Sequence, residues 1–325
     1  MRAYIIRRLL LMIPTLLLVS FIVFLLTHLI PGDIIDLMVS QSGGDKFDRP
    51  MVEQALGLDV PLVQQYGRWM GVVPQADGNL SGIFQGDLGI SWWYGTPVRD
   101  LVATKWPVTV ELGLMGFIVA QLIALPVGIF SALRQDKWGD YIGRSFAILC
   151  ISIPGFWLGT LIIVFPSIWW GYMPPIALIP FTEDPIGNLK MFIVPAIVMG
   201  MAMSGLTMRM TRTMMLEVLR QDYIRTAWAK GLRERVVVMR HTLKNALIPV
   251  ITVVGLQVPI MIGGTVIIEQ IFCLPGMGRL ILSATLNRDY PLVSGVMFLY
   301  AIALVLVNLT VDLTYGFLDP RVHYK

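Results

Sequence analysis

The sequence predicts an all-α integral membrane protein with six transmembrane helices and a small extracytoplasmic subdomain between the first two. Three observations carry this prediction. Of the 325 residues, 56% are hydrophobic and 14% are charged, against the roughly 45–50% and about 25% of soluble domains. The apolar residues come in blocks of about twenty, the length that a helix rising about 1.5 Å per residue needs to cross a hydrocarbon core about 30 Å thick. Most of the Lys and Arg residues lie in short segments outside those blocks that fall on one side of the expected membrane. Composition alone excludes an ordinary cytosolic enzyme.

The six blocks are residues 9–30, 108–133, 145–168, 191–208, 246–268 and 291–316, of which 191–208 is the shortest. The first begins with Arg2, Arg7 and Arg8 in the manner of a signal peptide. Its apolar stretch is too long and no small-residue cleavage site follows, so it reads as a retained anchor. Six spans put both termini on one side. With a cytoplasmic N-terminus, 17 of the 25 Lys and Arg residues lie inside, nine of them in 209–244. That asymmetry places both termini in the cytoplasm.

Residues 31–107 are too polar and too rich in Gly and Pro to span, yet too rich in Trp, Leu and Val for a disordered linker. They are expected to form a small, partly helical outer subdomain, with Trp69, Trp92 and Trp93 either at the lipid interface or packed within it. The expected organisation is 1–30 for the start and first helix, 31–107 for the outer subdomain, 108–317 for a five-helix transmembrane domain with a cytoplasmic loop at 209–245, and 318–325 for a cytoplasmic tail.

The chemistry that is missing narrows the function. No Gly-x-x-x-x-Gly-Lys-Ser/Thr occurs, so this chain has no ordinary P-loop for ATP. The three histidines, His28, His241 and His323, fit no hydrolase or metalloprotease pattern, and no catalytic or metal-binding set is expected. Cys150 and Cys273 lie far apart without CxxC spacing and read as inert thiols. The net charge of +4 lies mostly between apolar blocks and points to membrane topology, with no nucleic-acid partner implied. Within the spans, Glu111 and Asp312 lie close enough to an interface for hydration to explain them. Gln121 and Gln257 lie deeper and are candidates either for lining a polar pathway or for hydrogen-bonding helices together. A proton-coupled carrier would bury carboxylates or histidines near the midplane, and none stands out. Gly155 with Gly159, and Gly200 with Ser204, have the spacing of close helix packing. Pro154 and Pro259 remove backbone donors inside spans and can kink them, and Pro275-Gly276 marks a turn in an outer loop.

Residues 208–249 carry the most specific pattern. Asp222 is placed to cap a short helix, and Tyr223, Ile224, Ala227 and Trp228 fall on one face of it. Arg225, Thr226 and Lys230 occupy the other faces, and Gly231 follows as a left-handed terminator. The expected result is an apolar knob about 12 Å long, projecting from a basic loop and shaped for a groove on a partner protein. A second helix starts near Arg233 and leads into the fifth span.

Asp222-Tyr-Ile-Arg-Thr-Ala-Trp-Ala-Lys-Gly231-Leu, followed by Arg240-His-Thr-Leu-Lys-Asn-Ala-Leu-Ile-Pro249, resembles the cytoplasmic loop of membrane subunits of bacterial ABC importers, most closely the dipeptide/oligopeptide branch. The general importer pattern has Glu-Ala-Ala, three residues, Gly, nine residues, then Ile-x-Leu-Pro. Here the Glu and the loop Pro are missing, as in the peptide branch, and the match to the general pattern rests on Ala227, Gly231 and Leu243. Further stretches look like the same family in the same order: Tyr4-Ile-Ile-Arg-Arg-Leu-Leu with Ile30-Pro-Gly-Asp33, Ile153-Pro-Gly-Phe-Trp157, Glu269-Gln-Ile-Phe-Cys-Leu-Pro-Gly-Met-Gly-Arg279, Asn287-Arg-Asp-Tyr-Pro291 and Leu318-Asp-Pro-Arg321. They cover nearly the whole chain.

The resemblance implies a type I ABC importer permease fold and a multi-pass place in a bacterial or archaeal cell (inner) membrane. The partners it implies are a second homologous permease, two cytoplasmic ATPase subunits and an extracytoplasmic solute-binding protein. It makes Asp222, Tyr223, Ile224, Arg225, Thr226, Ala227, Trp228, Ala229, Lys230, Gly231 and Leu232 the coupling helix that meets an ATPase. This chain then binds no cofactor, because ATP and magnesium belong to the ATPase subunits. The cargo expected is a di- or oligopeptide. Nickel chelates or other small solutes are the alternative within the class, and an ATP-independent carrier or channel, or a membrane receptor subunit, the alternatives outside it.

Overall fold

The structure, a computed structural model, describes residues 2–29, 35, 49–171, 175 and 177–318; the side chains of 2–5, 260, 262, 264, 312 and 314–318 lie outside the described set. The tail at 319–325, most of 31–48, the Ile30 to Asp33 motif and the Asp312 side chain are therefore outside the description.

The described chain is almost entirely helical: α1 (Arg2–His28), α2 (Arg49–Ala55), α3 (Leu62–Met70), a 3-10 turn (Ile83–Gln85), α4 (Val98–Leu133), α5 (Trp138–Ser152), α6 (Gly155–Trp170), α7 (Pro185–Leu219), α8 (Asp222–Ala229), α9 (Glu234–Val236), a π-helical stretch (Val237–Leu243), α10 (Lys244–Ile271), α11 (Met277–Leu286) and α12 (Tyr290–Leu318). Five helical segments are long and apolar enough to cross a membrane: Ile6–His28, Val98–Leu133, Pro185–Leu219, Glu234–Pro259 and Tyr290–Val311. A sixth crossing requires α5 and α6 to count together.

The third expected span needs correction. Residues 145–168 do not form one straight helix but parts of α5 and α6, which meet at a bend of 92°. The cause is Pro154. It has no N–H to continue the ladder and it drives the preceding Ile153 out of the helical region, to φ −83° and ψ 119°. With 15 and 16 residues, each half is about 23 Å long and shorter than a hydrocarbon core. Pro249 and Pro259, by contrast, lie inside α10 without ending it.

The described chain divides into two compact units. One comprises Arg2–Pro107 with Gly276–Leu306, so the stretch between α1 and α4 draws on residues far along the chain. Its core joins Val98 to Met277, Leu280, Leu292, Val293 and Val296. Thr27 Oγ1 bonds Ser294 Oγ at 3.2 Å, and the Asp289 carboxylate accepts from Ser91 Oγ at 2.5 Å and from the Trp92 and Trp93 amides at 3.2 Å each. Trp69 packs among Phe24, Tyr66 and Phe298, and Trp92 lies against Tyr290. Trp93 stays exposed. Two of the three tryptophans thus serve packing within the subdomain.

The other unit contains the described residues of 108–275 and 307–318. Its core is built on α7: Met191, Phe192, Val198, Met199 and Met203 pack with Val108, Leu112 and Ala120 of α4 and with Met261 and Ile268 of α10. Asp184 caps α7, its carboxylate accepting from the Ile186 and Gly187 amides at 3.1 and 3.0 Å, and Pro185 takes the first helical position. Small residues set the spacing. A Cβ on Gly200 would stand 2.9 Å from the Gly116 carbonyl oxygen of α4, and one on Gly205 would stand 2.8 Å from the Ala147 carbonyl oxygen of α5. Gly155 meets only the Ala202 Cβ, at an ordinary 3.8 Å.

Candidate functional site

The segment Asp222–Leu232 forms α8 and its terminating turn. Its start is one residue earlier than expected. Gln221 is the extended N-cap residue and makes no side-chain cap, while Asp222 is already helical. The Asp222 carboxylate still lies at the positive end of the helix dipole, and it pairs with Arg225 Nη1 at 3.4 Å on the exposed surface. Thr226 Oγ1 donates to the Asp222 carbonyl at 3.0 Å. Gly231 ends the segment at φ +74°, and nothing lies within 4 Å of where its Cβ would stand. Glycine is needed there for its torsion and not for space.

The apolar face divides in two, which corrects the single knob face expected from helical spacing. Ile224 is 0% exposed and Ala227 is 7% exposed; both pack on Val237, with Val218 alongside. Tyr223 and Trp228 remain 45% and 44% exposed. The physical reason is length: eight residues do not hold a helix in water, so the middle of the apolar stripe must dock on the chain's own body. Tyr223 is tied at its far end, where its hydroxyl accepts from Asn245 Nδ2 at 2.9 Å. Arg225, Thr226, Ala229, Lys230 and Leu232 are exposed. What projects is a rigid ledge bearing Tyr223 and Trp228 among basic and polar side chains.

Beyond α8, α9 begins at Glu234 with Arg233 before it, and the chain then runs for seven residues as a π-helix. Val237, Val238 and Thr242 are buried there, and Thr242 Oγ1 donates to the Val237 carbonyl five residues back at 3.1 Å. Periodicity gives no sign of this stretch.

The two glutamines differ. Gln257 is buried, and its Nε2 donates to the Met203 carbonyl at 2.9 Å and to Thr207 Oγ1 at 3.0 Å, bridging α10 and α7. The Gln121 amide atoms are buried with no hydrogen-bond partner among the described residues. Neither lines the apolar cavity of about 440 Å³ bounded by Ile163, Trp170, Met191, Val194, Phe272 and the single charged side chain Lys190. Glu111 is partly buried.

Three buried carboxylates escaped sequence reasoning: Asp289, described above, Glu269 and Asp140. Glu269, near the end of α10, is fully buried and accepts from Thr109 Oγ1 at 2.6 Å. Asp140, in the first turn of α5, is fully buried against Arg212 of α7. For Glu269 the signal was its place directly after the apolar block 246–268. For Asp140 none existed, because its partner lies 72 residues away.

Long apolar helices, close glycine-mediated packing and a basic segment that presents an amphipathic ledge define a multi-pass helical membrane protein. Residues 124–324 match the family of binding-protein-dependent transport system inner membrane components, and residues 1–113 match the N-terminal model for such membrane components. The chain belongs to this family, the membrane permeases of ABC importers, in which separate subunits hydrolyse ATP. Importers of this class combine permeases with ATPases and a solute-binding protein.

A protein of Brucella suis biovar 1 named as a peptide transport system permease is 39% identical over 324 residues, covering 100% of both chains. The glutathione transport system permease protein GsiC of Pectobacterium atrosepticum is 37% identical, covering 99% of each chain. The dipeptide transport system permease protein DppB of Escherichia coli K12 is 36% identical, covering 100% of each. Among solved structures, the MetNI methionine ABC transporter in inward-facing conformations aligns with a TM-score of 0.55 at 15% identity, over 67% of this chain and 96% of that one. An amino acid ABC transporter crystallised with histidines aligns at 0.52 and 12% identity, over 67% and 94%. These two likenesses bear on the fold.

Proposed function

We propose that this chain is one of two paired permeases of an ATP-driven peptide importer, and that Asp222–Leu232 is the coupling segment seated on an ATPase. The observation that carries the reading is the division of labour on α8: Ile224 and Ala227 clamp the helix to the body, and the rings of Tyr223 and Trp228 stay exposed at its surface. The clamp steadies a helix too short to hold itself, and the exposed aromatic side chains beside it, on a basic segment, are a surface for a protein partner. The names of the relatives favour di- or oligopeptides over nickel chelates or other small solutes.

Both termini lie in the cytoplasm in this reading, with α8 on the same side. ATP and magnesium reside in the two ATPase subunits. ATP binding closes those subunits and draws the paired ledges together, which turns the pathway outward to receive cargo from the solute-binding protein; hydrolysis resets it. Gln257 acts as a hydrogen-bonded tie between α10 and α7 and not as a pathway group, in keeping with its two donor contacts. Gln121 is the better candidate for a polar pathway, since both ends of its buried amide lack a partner among the described residues, whereas only the carbonyl oxygen of Gln257 does, and such groups are costly unless something else meets them.

The test is a pull-down of the tagged chain from solubilised native membranes, followed by mass spectrometry and an ATPase assay with and without the recovered binding protein. A second permease, two ATPases, binding-protein-stimulated hydrolysis and a peptide in the binding protein are expected. A lone chain without ATPase would overturn the importer reading, and a non-peptide ligand in the binding protein would overturn the cargo.

A further inference from the structure

On α7, the helix before α8, Arg212 forms a buried ion pair with Asp140 of α5. The Asp140 side chain is 0% exposed. Its Oδ1 accepts from Ser131 Oγ at 2.6 Å and from Arg212 Nε at 2.7 Å, and its Oδ2 accepts from Arg212 Nη2 at 2.6 Å and from the Asp136 amide at 3.1 Å. Asp136 turns its amide inward from a left-handed conformation, φ +58°, one that aspartate tolerates better than most residues. One carboxylate therefore joins the end of α4, the turn after it, the start of α5 and α7.

The place of the pair in the fold gives it a direction. Arg212 lies on α7 six residues before Val218, and Val218 packs beside Ile224 and Ala227 of α8. A continuous physical path thus runs from the ledge to α7, through the Arg212 fork to Asp140, and along α5 to the 92° bend at Pro154. A bidentate guanidinium–carboxylate pair fixes orientation as well as distance. It adds little net stability over an apolar contact of equal size, but losing one partner strands a buried charge. Such a joint suits transmission: it does not stretch, and it moves as a unit or breaks.

We infer that Asp140 and Arg212 are positioning residues for energy coupling, the joint through which movement of α8 and α7 is passed to α5. The inference rests on the reading of α8 as the coupling segment.

The experiment uses the whole importer, purified through this chain and placed in liposomes, and measures the ratio of binding-protein-stimulated to basal ATP hydrolysis. Asp140→Asn removes the charge at nearly constant size, Arg212→Lys keeps the charge but loses the fork, and Ser131→Ala removes one hydrogen bond while leaving the ion pair. Hydrolysis should persist in all three. The stimulation ratio should fall roughly fivefold or more in Asp140→Asn, by an intermediate factor in Arg212→Lys, and by less than about twofold in Ser131→Ala. If Asp140→Asn fails to assemble, Arg212→Lys decides. Wild-type stimulation in Arg212→Lys overturns the inference, as does equal loss of yield in all three variants with unchanged stimulation in what is recovered. Absence of ATPases from the unmodified preparation would instead remove the coupling-segment reading, and the joint with it.

Discussion

At the residue scale, α8 separates two roles that helical spacing merges. Tyr223, Ile224, Ala227 and Trp228 share a stripe, and spacing alone cannot say which of them meet the chain's own body. That choice depends on Val237, which the turn at Gly231 brings back beneath the helix. The consequence is a contrast between neighbours. Ile224→Ala opens a void in a closed cluster and is expected to destabilise the chain by about 2–4 kcal/mol. Trp228→Glu changes an exposed side chain and should alter stability by no more than about 0.5 kcal/mol, while sharply reducing recovery of the ATPases with the tagged chain. Thermal stability and co-purification measured on the same two preparations separate these effects. If Trp228→Glu keeps its ATPases, the ledge is not the contact. Asp140 illustrates the opposite limit of sequence reasoning: it lies in the polar stretch before an apolar block, and nothing local names Arg212 as its partner.

At the scale of elements, the spans are legible because lipid demands long apolar runs, and the described residues of every expected block are mostly helical, although the third block is broken at Ile153 and Pro154. The interruptions were less so. Pro154 was recognised as a possible kink, yet whether a proline bends a helix or ends it depends on what else can meet the freed carbonyls, and Pro249 and Pro259 are carried without a break. The π-helical stretch left no trace because its wider turn is paid in backbone geometry, not in side-chain pattern. The small-residue pairs were read as sites of close packing, and the structure distinguishes between them. At Gly200 a side chain would strike the Gly116 carbonyl, a backbone atom that cannot rotate away. Gly200→Val should therefore separate α7 from α4 and lower the thermal stability of the purified chain, whereas Gly155→Ala, with an ordinary contact distance, should leave it nearly unchanged. Equal melting of the two variants would show that α7 can shift to absorb the clash.

At the scale of the whole molecule, the contact pattern departs from chain order. Residues 2–107 complete their core with 276–306, through pairs such as Thr27 with Ser294 and Ser91 with Asp289 that lie 267 and 198 positions apart. No periodicity reports a pairing of that kind, so a reading that cuts the chain into successive segments misses it. Charge, by contrast, acts over the whole chain without needing contacts. Basic residues are held back from crossing during insertion, and the excess in 209–244 over 31–107 sets orientation whatever the packing. With Cys150 and Cys273 replaced by serine, single cysteines at Leu80 and Lys230, both exposed, report the two sides. A membrane-impermeant maleimide on intact cells should label Leu80→Cys at once and Lys230→Cys only after permeabilisation. The reverse pattern would put the ledge outside, out of reach of any cytoplasmic ATPase, and would remove the importer mechanism together with the orientation. Labelling of both positions in intact cells would mean that the chain inserts in two orientations and that its charge asymmetry is too weak to choose between them.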